Sequence, residues 1–355
     1  MIIFILLWLL LVLYSFTRQD LNLTWYNQLT TPLQTLGWYQ RPLVTLIFIF
    51  LSLLFFSCYL YCLRKHSTPG WNVLFLIAFM GIFAYPMFSY DLFNYLFNAK
   101  MILIYHANPY LQTAIEFSPD PSLRFMQNVH TPAPYAYGWT MASLLPGLVW
   151  FSGKFTLAFW AMKVFIAGFW LGQLWILKKL VTKLFPVEPW RFWLFALNPL
   201  VLVETLINGH NDVVMMFLAL LAYMFWLNYA KLKAFIFLLL SASIKYATVV
   251  LLPTFHLRGG KLDIPAWSSL ALLAVMFTRP DQLHSWYLIW AFSFAVLAKP
   301  KWLVSLFTAL TFGALLRYAP YIYFGHWDPP VYFLRNLIWV SSLVLTPLLL
   351  KFFKA

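Results

Sequence analysis

Long apolar segments constrain the fold of this chain more than any other feature. A helix of about 20 mainly apolar residues crosses a lipid bilayer, and runs of about that length cover residues 1–16, 42–63, 71–88, 155–177, 190–207, 211–229, 302–324 and 331–350. Shorter apolar runs cover residues 138–152, 234–255, 264–277 and 286–298. Backbone polar groups in lipid must be satisfied within the segment, so spans form helices. We therefore predict a single all-α domain over 1–355, a polytopic transmembrane helical bundle of roughly ten to twelve spans.

Composition supports the membrane assignment. Charged residues make up 10% of the 355 residues, against roughly 25% in soluble domains. The net charge of +14 does not predict nucleic-acid binding here, because basic residues that flank apolar segments are explained by the positive-inside rule and by anionic lipids. Cys58 and Cys62 share one apolar segment and show neither a disulfide framework nor metal-ligand spacing. Residues 1–16 lack the basic start and the cleavage site of a signal peptide, and we expect them to be a retained span.

Basic clusters predict the orientation. Cytoplasmic loops of membrane proteins carry excess lysine and arginine, and the clusters here are Arg64-Lys65, Lys178-Lys179-Lys183, Lys231-Lys233, Arg258-Lys261, Lys299-Lys301 and Lys351-Lys354. The segments between them then face outward: 17–41, 89–137, 208–212, a turn near Lys245, 278–285 and 325–330. We expect a multi-pass protein of the inner (plasma) membrane whose functional site lies on the outer face.

The stretch "SYDLFNYLFNAKMILIYHANPY", residues 89–110, places an acid in an aromatic and aliphatic segment. Asp91, Asn94, Tyr95 and Asn98 fall on one stripe of a helix. Such a helix is expected at the membrane interface, with its polar stripe turned toward the protein or a cavity. The loop that follows contains His130, Tyr135 and Tyr137 within "HTPAPYAYGW", whose prolines and aromatic residues favour an ordered loop.

Two further clusters lie in the later spans. In "NPLVLVETLINGHND", residues 198–212, one helical face would carry Glu204, Asn208, Asn211 and Asp212, although Gly209 beside His210 suggests a break. In "SASIKYATVVLLP" and "RPDQLHSWYLIW", the polar and aromatic candidates are Lys245, Arg279, His284, Trp286 and Tyr287. A lysine within the membrane requires a carboxylate or a phosphate as its partner.

Each cluster also has a purely structural interpretation. Asp91 could cap an interfacial helix, and Glu204 could pair with Lys245 as a structural ion pair. His210 and His284 could hydrogen-bond backbone at helix ends, and the tyrosines and Trp286 could belong to aromatic belts. Against these interpretations, all the clusters fall on one side of the membrane under a topology drawn from basic residues alone.

The motifs just quoted, over residues 71–298, resemble bacterial members of the glycosyltransferase C superfamily. The chain is most similar there to polyprenol-phosphate-mannose-dependent mannosyltransferases. The resemblance implies a multi-span fold, an outer active site, a lipid-phosphate sugar donor and a catalytic aspartate in the first long outer loop, 89–137. Asp91 occupies the position of that aspartate. Unlike many relatives, this chain has no second acid or arginine directly after it.

Elementary chemistry suggests a role for each candidate. The negative charge that develops on the leaving phosphate requires nearby cations. We expect Lys245 to be the main phosphate-binding residue, with Arg279, His210 and His284 as further candidates. An acceptor hydroxyl requires a base, and Asp91 is the candidate. Sugar or acceptor binding is expected from the remaining polar and aromatic residues, namely Asn94, Tyr95, Asn98, His130, Tyr135, Tyr137, Glu204, Asn208, Asn211, Asp212, Trp286 and Tyr287.

The predicted function is transfer of a sugar, with mannose favoured, from a polyprenyl-phosphate donor to a lipid-linked or cell-envelope glycan, by single displacement with inversion. No cofactor is expected, and the lack of a DxD pair in the outer loop predicts no metal. The alternatives are a flippase or transporter of lipids or lipid-linked sugars, for which we find no inverted repeat, and an envelope polysaccharide polymerase or ligase.

Overall fold

The computed structural model describes residues 1–23, 26–65, 69–256, 262–278 and 283–354, without the side chain of His256. The structure is 77% helix, and no strand occurs among the described residues. This confirms the all-helical fold class.

Eighteen α-helices are described in chain order, α1 to α18: Ile2–Ser15, Asn27–Tyr39, Arg41–Arg64, Trp71–Ile82, Asp91–Leu103, Tyr137–Gly147, Phe155–Leu184, Trp190–Ala196, Pro199–Leu202, Asp212–Leu227, Lys231–Ile244, Leu251–His256, Ile264–Met276, Leu288–Ala295, Lys301–Leu316, Ala319–Phe324, Val331–Ser341 and Thr346–Lys354. A π-helical turn, Val203–Ile207, extends α9. The 3₁₀ helices are Phe16–Arg18, Ala114–Phe117, Pro121–Phe125, Leu148–Ser152, Tyr246–Val250, Ser285–Tyr287 and Ser342–Leu345.

Helix length separates full spans from shorter crossings. Within the described residues, four segments are long and apolar enough to cross a membrane: Arg41–Arg64, Phe155–Leu184, Lys301–Phe324 and Val331–Lys354. The bent pair Trp190–Ala196 with Pro199–Ile207 makes a fifth if it counts as one span. Shorter apolar helices of 10–17 residues are also present. The count of ten to twelve membrane crossings stays a prediction.

The central helix of the bundle is α15. In the span Lys301–Phe324, 78% of the most apolar window is buried, whereas in Val331–Lys354 only 17% is buried. Small residues let α15 pack closely: a Cβ at Gly313 would lie 2.4 Å from Ser342 Oγ and 3.0 Å from the Trp339 carbonyl oxygen. Lipid provides no hydrophobic drive between helices, so close packing of this kind holds them together.

Helix α5 forms over Asp91–Leu103, with the predicted polar stripe on one face. Asn94, Tyr95 and Asn98 are buried, as expected of a stripe turned toward the protein. The opposite apolar face is buried too, since Leu92 is 0% exposed. Helices α6 and α7 and the outer loop pack against α5, and its position at the membrane interface stays a prediction.

The outer loop that follows α5 is ordered, as predicted. It contains two 3₁₀ helices, the first held by a capping box between Thr113 and Glu116. Lys100 of α5 makes an ion pair with Asp120 at 2.5 Å, and Asp120 caps the second 3₁₀ helix through the Ser122 N–H. Local hydrogen bonds and one buried ion pair thus fix the loop on α5.

Breaks in the later spans fall where the sequence suggested them. Gly209 has φ +76°, a left-handed conformation that favours glycine. A Cβ there would also come within 2.9 Å of Leu92. Helix α11 ends at Ile244, and Lys245 is extended. Both breaks place polar residues at the same end of the bundle as the start of α5.

The orientation is testable with single cysteines in a Cys58→Ser, Cys62→Ser background. Leu111 in the outer loop is 79% exposed, and Tyr229, just after α10, is 88% exposed. The 16 residues of α10 separate the two ends of the bundle by about 24 Å. An impermeant maleimide should label Leu111→Cys in intact cells and Tyr229→Cys only after permeabilisation. The reverse pattern would put the polar end on the cytoplasmic side.

Candidate active site

Polar residues from four distant parts of the chain meet at one end of the bundle. Asp91 begins α5, Tyr135 precedes α6, and Glu204 lies in the π-helical turn. His210 lies in the link before α10, and Tyr318 follows α15. The structure brings these side chains into one connected group.

Asp91 lies at the accessible edge of this group. Its Oδ1 accepts a hydrogen bond of 2.9 Å from the Tyr135 hydroxyl, and its Oδ2 lies 3.3 Å from His210 Nδ1. The Asp91 side chain is 26% exposed. Burial raises the pKa of this carboxyl, but the contacts with His210, Lys245 and Tyr135 outweigh it and the pKa is lowered. Asp91 is therefore an ionised carboxylate at neutral pH.

His210 bridges two carboxylates. Its Nδ1 faces Asp91, and its Nε2 lies 3.3 Å from Glu204 Oε2. Two carboxylates this close to an imidazole favour its charged form, the imidazolium. Burial lowers the pKa of His210, but Asp91 and Glu204 together raise it to about 9. The ring stacks on Trp286 at 4.0 Å, and Trp286 stacks on His284 at 4.2 Å.

Glu204 is fully buried and held on three sides. Besides His210, its carboxylate accepts hydrogen bonds of 2.7 Å from Asn208 Nδ2 and of 2.7 Å from the Tyr318 hydroxyl. Asn208 Oδ1 in turn accepts from the backbone N–H groups of Met87 and Phe88, at 3.1 and 3.2 Å. Glu204 and Asn208 thereby join the π-helical turn to the segment that leads into Asp91.

Lys163 is a residue of the site region that the sequence analysis missed. It is 2% exposed in the middle of α7, and its Nζ donates to the carbonyl oxygens of Leu206 and, at 2.8 Å, Ile207. These carbonyls belong to the π-helical turn, whose backbone is therefore fixed from the opposite side to Asn208. A lysine within the apolar run 155–177 was a usable signal, of the same kind that singled out Lys245.

Lys245 pairs with Asp212 and not with Glu204. The Nζ–Oδ1 distance is 2.9 Å, and Trp290 Nε1 donates to the same oxygen at 2.5 Å. Lys245 also lies 4.7 Å above the Tyr287 ring, a cation–π contact. The alternative of a Glu204–Lys245 ion pair is thus wrong, because the turn at Gly209 directs Glu204 toward α15 while Asp212 begins α10.

The other predicted residues divide into those near the group and those away from it. Asn94 donates to the Tyr135 hydroxyl at 3.3 Å and accepts from the Gln127 N–H at 3.1 Å. Tyr95 packs edge-on against Tyr135 at 4.8 Å and accepts from the Asn211 N–H at 3.4 Å. Both residues support Tyr135 from below.

Asn98 lies one turn further along α5 and is buried with no hydrogen-bond partner at Nδ2. His130 and Tyr137 are exposed, and among the described residues no hydrogen bond or ion pair links them to Asp91. Arg279 lies outside the described residues. Burial and the nearby positive groups, partly opposed by Asp91, lower the pKa of His284 to about 4, so this ring is neutral.

The arrangement offers one accessible carboxylate beside an aromatic wall. Asp91 is open to solvent, whereas the side chains of Glu204 and Asp212 are 0% and 2% exposed. No group of three or more histidine, cysteine or acidic side chains suited to a metal occurs in the described part of the chain. A partly exposed carboxylate oriented by the Tyr135 hydrogen bond and by the charge contact with His210 can accept a proton from a bound hydroxyl.

The His210 charge predicts a pH dependence of stability. Its pKa is about 9 in the folded protein and about 6.5 when unfolded. The ion pairs therefore contribute full stability below pH 6.5 and lose it as the pH rises through 9. The melting temperature should fall more for His210→Gln than for the exposed control His130→Gln at pH 6, and this excess should shrink by pH 9.5. An excess that is constant with pH would mean a neutral His210.

We also predict that the Lys245–Asp212 ion pair contributes to the stability of the protein. Lys245→Met leaves the Asp212 carboxylate buried beside Trp290 alone, so the protein should lose stability. The loss should be below the roughly 3 to 5 kcal/mol of a fully buried pair, because the Lys245 side chain is 26% exposed. Adding Asp212→Asn should restore most of it, while the exposed control Lys154→Met should melt like wild type. Equal melting of single and double variants would show that the pair carries no stability.

The chain matches a known protein family. Residues 9–258 match the family model described as "Alpha-(1->6)-mannopyranosyltransferase, N-terminal domain" of the MptA_B family. No curated protein and no solved structure matches the chain. The match covers well over half of the chain and includes Asp91, Tyr135, Glu204, His210 and Lys245. The chain belongs to the alpha-(1->6)-mannopyranosyltransferase family and is a membrane mannosyltransferase of the glycosyltransferase C type.

Proposed function

We propose that this mannosyltransferase moves mannose from a polyprenyl-phosphate donor to a lipid-linked or cell-envelope glycan on the outer face of the plasma membrane. Family membership supports the sugar and the reaction class. The membrane-spanning helices support a donor that enters from lipid. The family's name specifies an α-1,6 linkage, which would make the acceptor nucleophile the primary 6-hydroxyl of a mannose.

One observation carries the catalytic assignment: Asp91 is the accessible carboxylate of the group. Its side chain is 26% exposed, while those of Glu204 and Asp212 are essentially enclosed. A base must lie within hydrogen-bond reach of the hydroxyl that it deprotonates. We assign Asp91 as the general base, and Glu204 as a buried group that orients His210.

The proposed reaction is a single displacement. The acceptor hydroxyl gives its proton to Asp91 as its oxygen forms a bond to the anomeric carbon of mannose. The bond from that carbon to the phosphate oxygen breaks, and polyprenyl phosphate leaves with the electron pair. With one base and no covalent intermediate, attack comes from the face opposite the phosphate, and the anomeric configuration inverts.

Tyr135 and His210 would position the base. Each contacts a different oxygen of Asp91, so the carboxylate cannot rotate freely and its remaining lone pairs face the accessible side. The imidazolium also weakens Asp91 as a base, since it stabilises the ionised form. The same stabilisation keeps Asp91 deprotonated at every pH at which the protein would work.

Aromatic side chains beside Asp91 would receive the sugars. Trp286 stacks on His210, and Tyr287 stacks on Trp290 at 4.2 Å. Flat apolar faces next to polar groups suit the alternating C–H and O–H surfaces of a pyranose ring. Of the predicted phosphate ligands, Lys245 and His210 are already paired with carboxylates. We therefore propose them as groups that tune the site's charge rather than as its main cation.

The rival functions are disfavoured by the family. A flippase or a polymerase would not require a mannosyltransferase sequence over residues 9–258. No described contact favours either function over glycosyl transfer. Independence from divalent metal remains a prediction, to be checked by assaying transfer in the presence of a chelator.

The assignment of Asp91 is tested by Asp91→Asn. The variant should keep its fold but lose at least about 100-fold in mannose transfer from polyprenyl-phosphate-mannose, the lower range of general-base contributions. Glu116→Gln is the matched control, because Glu116 is a carboxylate of the same outer loop whose capping box a glutamine can preserve. Transfer rates and melting curves of both variants would be measured in detergent. Near wild-type transfer by Asp91→Asn would place the base elsewhere.

A further inference from the structure

Two arginines near the site have no acidic partner in the part of the chain that the structure describes. Arg317 lies at the end of α15, and Arg335 lies in the second turn of α17. Among the described residues, no carboxylate oxygen comes within 4 Å of either guanidinium. Neither arginine falls within the matched family region, residues 9–258, and neither belongs to a recognisable sequence motif.

Arg317 is buried and incompletely satisfied. The residue is 3% exposed, and its Nη2 donates to Asn336 Oδ1 at 2.8 Å. Its guanidinium lies 5.1 Å from the centre of the Trp339 ring. Its Nη1 is buried without a hydrogen-bond partner. Burying a charged donor without a partner is costly, so a ligand that satisfies it would be strongly favoured.

Arg335 lies close to Arg317. It lies one helical turn from Trp339, on the same side of α17 and adjacent to Asn336. Its guanidinium packs 4.3 Å from the Tyr332 ring and 5.5 Å from the Trp327 ring, and its Nε is buried without a hydrogen-bond partner. Arg317 and Arg335 repel each other electrostatically. Two adjacent guanidinium groups fixed on aromatic rings form a preorganised anion site.

The pair is continuous with the proposed active site. Tyr318, directly after Arg317, donates its hydroxyl to Glu204 at 2.7 Å. Arg335 acts electrostatically on His284, the outer ring of the stack that begins at His210. The arginines thus lie close to the group of polar and aromatic residues that includes Asp91.

Unlike the two arginines, three other cationic side chains are paired with carboxylates. Lys245 is neutralised by Asp212, and Lys100 by Asp120. His210 lies between two carboxylates. Among the described residues, Arg317 and Arg335 thus differ from these three cations in having no carboxylate within 4 Å.

We propose that Arg317 and Arg335 bind the phosphate of the lipid-linked sugar donor. This inference rests on the proposed function, since it assigns the leaving group of that reaction. Arginine presents two parallel N–H groups to a phosphate, which lysine cannot do. The product, polyprenyl phosphate, is a monoester with more charge than the donor diester, and the pair binds it more tightly than the donor.

Binding of polyprenyl monophosphate to the full-length protein, in detergent and without acceptor, tests the proposal separately from catalysis. Wild type should bind it, and should bind the uncharged polyprenol at least about tenfold more weakly. Arg335→Gln should weaken binding about 10- to 100-fold, the loss expected for hydrogen bonds to a charged group. Arg335→Lys should lie between the two. The control Arg124→Gln removes an exposed arginine of the outer loop, 4.0 Å from Asp20, and should bind like wild type.

Kinetics provide the second readout. Arg335→Gln and Arg317→Gln should raise the KM for polyprenyl-phosphate-mannose by a similar factor, whereas Asp91→Asn should lower kcat and leave phosphate binding unchanged. If Arg317→Gln fails to fold, Arg335→Gln still decides the matter, because Arg335 is only half-buried and lies on the outer helix.

The outcomes separate the possible errors. Unchanged binding and KM in Arg335→Gln would overturn the arginine site while leaving mannosyl transfer intact. Equal competition by phosphatidylglycerol would show a general anionic-lipid site and would overturn the donor assignment. Arginine-dependent binding of polyprenyl phosphate in a protein that transfers no mannose would uphold the site and refute the proposed function.

Discussion

A buried carboxylate organises this end of the molecule. Glu204 is 0% exposed within an apolar bundle, and an ionised carboxylate cannot remain there without partners, because its desolvation costs several kcal/mol even after relaxation. Its partners come from three directions: His210 across the turn, Asn208 one turn along the same helix, and Tyr318 from the central span. Satisfying one charge therefore joins the segment 204–210 to the end of the central span. Asp91 takes its orientation from this assembly through His210.

The backbone around Glu204 is irregular because the site requires it. A regular helix from Pro199 onward would rotate His210 away from Glu204. The π-helical turn and the left-handed Gly209 change the direction of the chain so that residues 204 and 210 face each other. Such a turn leaves carbonyl groups that an α-helix would satisfy, and Lys163 donates to two of them. Lys163 therefore stabilises the backbone of this turn.

Much of this site was predictable from local patterns, and the missing parts depend on long-range packing. Helical spacing brought Asp91 and Asn94 to one stripe, and the i, i+4 relation of Glu204 and Asn208 appears in the structure as a hydrogen bond. The choice of partner for Lys245 was not predictable, since Glu204 and Asp212 are both within reach in sequence. Only the turn at Gly209 decides between them.

Tyr318 and the two arginines could not be found from the motifs, for a different reason. They lie more than 100 residues after Glu204, on helices that follow the segments with recognisable polar patterns. An arginine near the end of an apolar span resembles the many that snorkel to the membrane surface. What distinguishes Arg317 is burial without a carboxylate, a property of the assembled bundle. Its counterpart in sequence is only a single basic residue after α15.

The distribution of charge has a consequence for the direction of the reaction. Displacement with inversion needs the base and the leaving phosphate on opposite sides of the sugar carbon. Asp91 contacts His210, and the rings of His210, Trp286 and His284 stack in steps of 4.0 and 4.2 Å. Both Asp91 and Arg335 act electrostatically on His284, so the proposed base and the proposed phosphate ligand both lie near this stack.

The imidazolium weakens the attraction between the site's carboxylates and the arginines. Glu204 attracts Arg317 electrostatically, and without His210 this attraction would be stronger in a medium of low dielectric constant. Because His210 lies 3.3 Å from each carboxylate, it satisfies both locally. Arg317 and Arg335 then keep their charge for a ligand. The same residue thus orients the proposed base and preserves the positive site for the leaving group.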